Sequence, residues 1–233
     1  KNGEPPLEKE DEEAEKLSSE AVTSITEFDT NLASISKACD SGTSKEDWFS
    51  NKVAEASAGV SVIDYGNYLQ SIDIAITNGN AQMLRTATTT AGAVSQCYNL
   101  DGFIAEQHHV NSFNMQAALE KSPYRAEVRV PEAGETYGIN SFDTVIKDVS
   151  TGKIVQQYQL KFGADAKATI NLLNCGNYNN QRIVVPAEQV AEVQKAFPGK
   201  SVSAYIGGAD TVPVKSQGIT KQQAKELQLD SQQ

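Results

Sequence analysis

Ile154-Val155-Gln156-Gln157-Tyr158-Gln159-Leu160-Lys161-Phe162 is the stretch on which the fold turns. Its apolar and β-branched residues, and the turn Asp148-Val149-Ser150-Thr151-Gly152 before it, predict a strand. Side chains alternate across a strand, so Ile154, Tyr158, Leu160 and Phe162 share one face. Gln159 and Lys161 share the other, about 6.6 Å apart. An amide and an ammonium directed together off an otherwise apolar strand form a polar pair. In the preceding predicted strand, 141–146, Phe142, Thr144 and Ile146 take one face and Asp143 the other. If the two strands pair as a hairpin, Asp143, Gln159 and Lys161 converge at one end.

Working outward, a helix is expected from Asp101, which can cap it, to about Lys121 before Ser122-Pro123. Phe103, Val110, Phe113 and Ala117 form its apolar stripe, and Glu106 falls inside that stripe. A carboxylate facing a core is costly unless paired or holding a cation. Residues 126–130 read as a first strand. A short helix over 165–175 ends at Gly176, a natural left-handed terminus. Residues 182–185 read as a strand, 187–197 as a helix stopped by Pro198-Gly199, and 202–206 as a further strand. Thr220 with Gln223 marks a capping box that opens a last short helix. The order is α-β-β-β-α-β-α-β, an α/β (α+β) arrangement with a mixed sheet.

Residues 7–98 read as helical and carry no chemical motif. Leu17, Ala21, Ile25, Phe28, Leu32 and Ile35 recur at three- and four-residue steps. Ser44 with Asp47 reads as an N-cap for a helix carrying Trp48, Phe49, Val53 and Ala56. A third segment carries Val62 to Ile76. Asn78-Gly79-Asn80 is expected to break it, with a fourth helix over 81–98 weakened by the threonine-rich run 86–90. The organisation expected is an acidic tail or helix start over 1–20, a helical bundle or hairpin over 21–98, a domain over 99–206 and a tail with a short helix over 207–233.

An acid in an apolar helix stripe, then Asp143, then Gln-x-Lys on a long strand is an ordered pattern. It resembles the PD-(D/E)XK nuclease superfamily. Residues 101–106 look like that family's first core helix with its acid. Ser141-Phe142-Asp143 looks like the strand with the metal-binding aspartate, and Gln159-Leu160-Lys161 like the (D/E)-x-K element in its glutamine variant. The element order αβββαβ agrees, and the likeness covers roughly residues 100–206. The resemblance implies a restriction-endonuclease-like core and a Mg²⁺- or Mn²⁺-dependent hydrolase of phosphodiester bonds. It implies metal contacts from Asp143, Gln159, the Leu160 backbone carbonyl and Glu106. Lys161 would activate water and stabilise developing charge. Glutamine carries no charge, so the site has one anionic ligand fewer than the acidic form. The loop 177–182 adds Tyr178 and Arg182, suited to a base and a phosphate, and His109 stands near the same helix face.

Composition bounds the rest. The 233 residues carry a net charge of −10, and residues 1–100 hold 7 basic against 16 acidic side chains. The second part is near neutral, so overall acidity leaves a nucleic-acid partner open, DNA in preference to RNA. No run of 18 apolar residues occurs, and no basic start with an apolar stretch. The chain opens on Lys1, as a fragment or processed form would. Three scattered cysteines and two histidines fit a reducing cytoplasm and argue against a disulfide framework or a multi-histidine metal centre. No phosphate-loop motif occurs. Roles in restriction, defence or toxin action fit such a nuclease equally. A catalytically silent binding module is the alternative. A structural component of a mobile-element or secretion assembly, held as a homo-oligomer through residues 7–98, is a third. Each site residue also has a plainer reading: a solvated turn aspartate, an exposed strand face, a glutamate reaching water at the stripe's edge, core or surface histidines.

Overall fold

The computed structural model describes residues 42–44, 47–48, 62–129 and 140–233. The chain divides into two compact units, Lys1–Gln70 and Ser71–Gln233. In the first, Ser44 caps as its spacing predicts: its Oγ accepts from the Asp47 amide at 3.0 Å. Trp48 on that turn is buried. The expected helix through Leu17–Ile35 and the acidic run 8–20 lie outside the described residues.

Helix α1 (Val62–Ala87) runs without a break through Asn78-Gly79-Asn80. Gly79 does not end it, because it is a contact point. A Cβ there would lie 3.2 Å from Asn111 Cγ, and the Asn111 amide donates to the Gly79 carbonyl at 2.9 Å. Thr86 and Thr88 donate from their hydroxyls to the carbonyls four residues earlier, Gln82 and Leu84. Such back-bonding competes with the helix, which stops at Ala87. No helix forms over 88–98; a bridge between Thr88 and Val94 stands in its place.

The second unit is an α+β assembly. Helix α2 (Leu100–Leu119) precedes strands β1 (Tyr124–Val128), β2 (Thr144–Asp148) and β3 (Ile154–Leu160). Helix α3 (Ala166–Leu173) crosses to β4 (Arg182–Val184). A 3₁₀ turn and helix α4 (Val190–Ala196) lead to β5 (Val202–Ser203). The sheet order is β1-β2-β3-β4-β5. The first three strands are antiparallel and the last two join in parallel. This is the expected αβββαβ order with a mixed sheet. Among the described residues there are five α-helices, none long and apolar enough to cross a membrane.

Each face of the sheet has its own core. Ala126, Ile146, Tyr158, Leu160 and Val184 pack with Val110, Phe113 and Ala117 of α2. Ile183 and Val185 pack with Leu173 and Val193 on the other side. The stripe of α2 differs from the expected one. Leu100, Ile104 and Ala105 are buried, whereas Phe103 is 53% exposed. Asp101 is not a cap; Asn99 holds that position without a side-chain bond. Asp101 is buried and pairs with Lys221.

Residues 207–233, expected as a tail, belong to the core. Strands β6 (Gly207–Ala209) and β7 (Val212–Lys215) form a hairpin, and Ile206, Val212, Val214 and Ile219 are buried against α2. Gly207 adopts φ +80°, and a Cβ there would sit 1.9 Å from the Val214 carbonyl oxygen. Helix α5 (Lys221–Ser231) opens on the expected Thr220–Gln223 capping box.

Candidate functional site

The hairpin β2–β3 creates the site. Its register pairs Thr144 with Tyr158. Asp143 therefore lies across from Gln159, on the face opposite Tyr158 and Leu160. The backbone fastens the approach: the Asp143 amide donates to the Tyr158 carbonyl at 2.8 Å. Asp143 Oδ2 then gathers three donors. The Leu160 amide reaches it at 2.9 Å, the Gln159 side-chain amide hydrogen-bonds to it, and Lys161 Nζ stands 3.7 Å away. The Lys161 amide itself donates to the Val184 carbonyl at 3.0 Å, which locks the end of β3 against β4.

Two carboxyls in this space resist ionisation. Burial raises the Asp143 pKa, and Lys161 and the Leu160 amide oppose the rise. Glu106, half-buried on α2, is pushed up to about 8 by burial first and the Asp143 charge second, with Lys161 opposing. The Glu106 carboxyl is thus electrostatically coupled to both. Gln159 is 2% exposed, and its Oε1 is buried with no hydrogen-bond partner among the described residues. An orphaned buried oxygen is costly. The oxygens here that could hold a hard divalent cation belong to Asp143, Glu106 and Gln159. Among the described residues no three His, Cys, Asp or Glu side chains gather as a metal cluster.

Tyr178 closes one side. Its residue takes φ +47°, the left-handed conformation the sequence assigns to Gly176. Gly176 serves by having no side chain, since a Cβ there would meet the Tyr178 ring at 2.4 Å. The Lys161 ammonium lies 5.8 Å from the ring centroid. Tyr178 is buried, and burial followed by the Asp143 charge raises its phenol pKa. Arg182 opens β4 beside Tyr158, half-buried, on the face away from Gln159.

His109 corrects the sequence expectation. It is wholly buried, and so not placed to touch nucleic acid. Its Nδ1 lies 2.9 Å from Ser216 Oγ, and burial together with His108 lowers its pKa to about 3. It is a neutral core residue joining α2 to the segment after β7.

The sequence gives no sign of the clamp behind the site. Lys221 Nζ pairs with Asp101 and donates to the Phe162 carbonyl at 2.7 Å. One ammonium thus ties the start of α2, which carries Glu106, to the residue following Lys161. The partners are 120 residues apart in the chain. A scan against protein-family models finds no match, and comparisons with curated proteins and with solved structures find none either.

Proposed function

We propose that the second unit is a PD-(D/E)XK-like, metal-dependent phosphodiesterase acting on nucleic acid. The observation that carries this reading is the convergence of Asp143, Gln159, Lys161 and Glu106, with the Gln159 oxygen unpaired. Mg²⁺ or Mn²⁺, when bound, would neutralise phosphate charge and lower the pKa of a coordinated water. Asp143, Glu106, the Gln159 amide oxygen and the Leu160 carbonyl would hold it. Turning the Gln159 amide end for end would present Oε1 to Asp143 in place of the amide group.

This chain's own groups divide the remaining work. Lys161 is fixed by its backbone bond to Val184 and by Asp143 and Tyr178 around its ammonium. A fixed cation there stabilises charge developing on a phosphoryl oxygen and orients an attacking water. Glu106 holds its proton to about pH 8. Added positive charge beside it would favour its ionised form, in which it would serve as an anionic ligand. The attacking water would release its proton to solvent, and the leaving oxygen would take one from solvent.

One observation favours a second reading, a silent nucleic-acid-binding module. Asp143 Oδ2 already accepts from Gln159 and Leu160, so the site is satisfied in part without any ion. Cleavage of labelled single- and double-stranded DNA and RNA with Mg²⁺ or Mn²⁺ separates the two. Metal-dependent cleavage lost in Asp143→Ala and in Lys161→Ala, with circular dichroism unchanged, supports the enzyme. Absence of cleavage on every substrate moves the assignment to the binding module.

A further inference from the structure

Beside the carboxyl cluster lies a cleft of about 560 Å³, within the range of small-molecule sites. Leu173, Ile183 and Phe197 give it apolar walls. The exposed side chains of Asn140 and Asn174 line it as well; Asn174 offers both a donor and an acceptor, and Asn140 offers its amide group while its Oδ1 holds the loop. Tyr178 belongs to this cleft, and its ring faces the Lys161 ammonium, so the two sites share a wall.

The cleft is built rather than incidental. Its loop holds Tyr178 and Asn180 at φ +47° and +60°, conformations that cost energy outside glycine. Lys200 Nζ donates to the carbonyls of Asn177 and Tyr178 at 2.9 and 3.0 Å. Asn140 Oδ1 accepts from the Asn177 amide at 2.9 Å, and its carbonyl accepts from the Gln181 side chain at 2.7 Å. Gln181 keeps its own Oε1 buried without a partner among the described residues. Four side-chain bonds onto one short loop over-determine its shape.

Apolar walls that include the Phe197 ring, amide side chains in the lining and a nearby cation match an unstacked nucleobase. We infer that this cleft binds the base of a nucleotide next to the scissile phosphate, so that the substrate is a single strand or a frayed end rather than an intact duplex. The inference rests on the phosphodiesterase reading for its context, and it names the substrate class of that site. A base seated here must leave its stack, which costs a few kcal/mol in a duplex and little in a single strand.

Cys175 lines the cleft and is exposed; Cys97 is exposed elsewhere. The test measures alkylation of both thiols by mass spectrometry on the full chain, without divalent metal. The probes are the four common nucleoside monophosphates and ribose 5-phosphate. The expected result is slower alkylation of Cys175 with at least one nucleotide, unchanged alkylation of Cys97, and no effect of ribose 5-phosphate. Asn174→Trp, at an exposed position, fills the cleft and weakens that protection about tenfold or more, equivalent to about 1.4 kcal/mol. No protection by any nucleotide in the wild type, or equal protection by ribose 5-phosphate, overturns the assignment. Neither measurement needs turnover, so a failed cleavage assay and a failed protection assay remain distinct.

Discussion

Glu106 makes the protein's stability depend on pH in a direction that few carboxyls show. Its carboxyl ordinarily ionises at 4.5 and here holds its proton to about 8. Between those values the folded state binds a proton that the unfolded state has released, so stability falls as pH rises. Below 4.5 both states are protonated and nothing is lost. At about 1.4 kcal/mol per pH unit, the loss over the whole interval is about 5 kcal/mol. Residual hydration of a half-buried carboxyl brings the expectation down to about 2–5 kcal/mol. Glu106→Gln keeps the shape and removes the titration. Thermal unfolding of wild type and variant, followed by circular dichroism from about pH 5 to about pH 8.5, reads the difference. The two should nearly coincide at the acid end. The variant should be more stable at the alkaline end, with a midpoint difference on the order of 10 °C. Asp143, whose raised pKa tilts both curves the same way, is coupled to Glu106, so the difference between the curves reports the Glu106 charge together with that coupling. A gap that stays constant across this range would refute the reasoning, because the Glu106 carboxyl would then be as well solvated as in the unfolded chain.

Three further outcomes follow from other parts of the fold. Lys221→Met leaves Asp101 buried beside α5 without its cation, and Asp101 is 4% exposed. Urea unfolding should show a loss of about 3 kcal/mol, and the double variant with Asp101→Asn should recover much of it; additive losses would show that the pair is not coupled. His109 titrates near 3 when folded and near 6.5 when unfolded, so the unfolded state gains its proton first on acidification. Stability should fall as pH drops below about 6.5, and His109→Gln should flatten that acid limb in guanidinium melts at about pH 4 and about pH 7. Gly207→Ala places a methyl against the Val214 carbonyl at φ +80°. It should cost about 2 kcal/mol or more in a denaturant midpoint, while Gly199→Ala, with open space around it, should cost far less.

What the sequence by itself determined is the local part of this protein. Alternation along 154–162 set which side chains leave the sheet together, because the period of a strand is two wherever it lies. Ser44 and Thr220 announced their helices, since a cap is a contact within four residues: Thr220 Oγ1 accepts from the Gln223 amide at 3.1 Å. The sequence left the pairing of β2 with β3 as a condition; the structure pairs them antiparallel and brings Asp143 to Gln159 and Lys161. Tertiary structure decided the rest. Gly79 became a packing point and Gly176 a seat for Tyr178, because what surrounds a glycine depends on elements far along the chain. The β6–β7 hairpin, written in Gly207-Gly208 and Pro213, carries little strand propensity and exists by packing against α2. The burial of His109 and the Asp101–Lys221 pair each join residues with no local relation in sequence, and the cleft beside Tyr178 sets Asn140, Ile183, Phe197 and Lys200 against the run 173–178. Their energetics come from desolvation, and only the folded shape sets which groups lose their water.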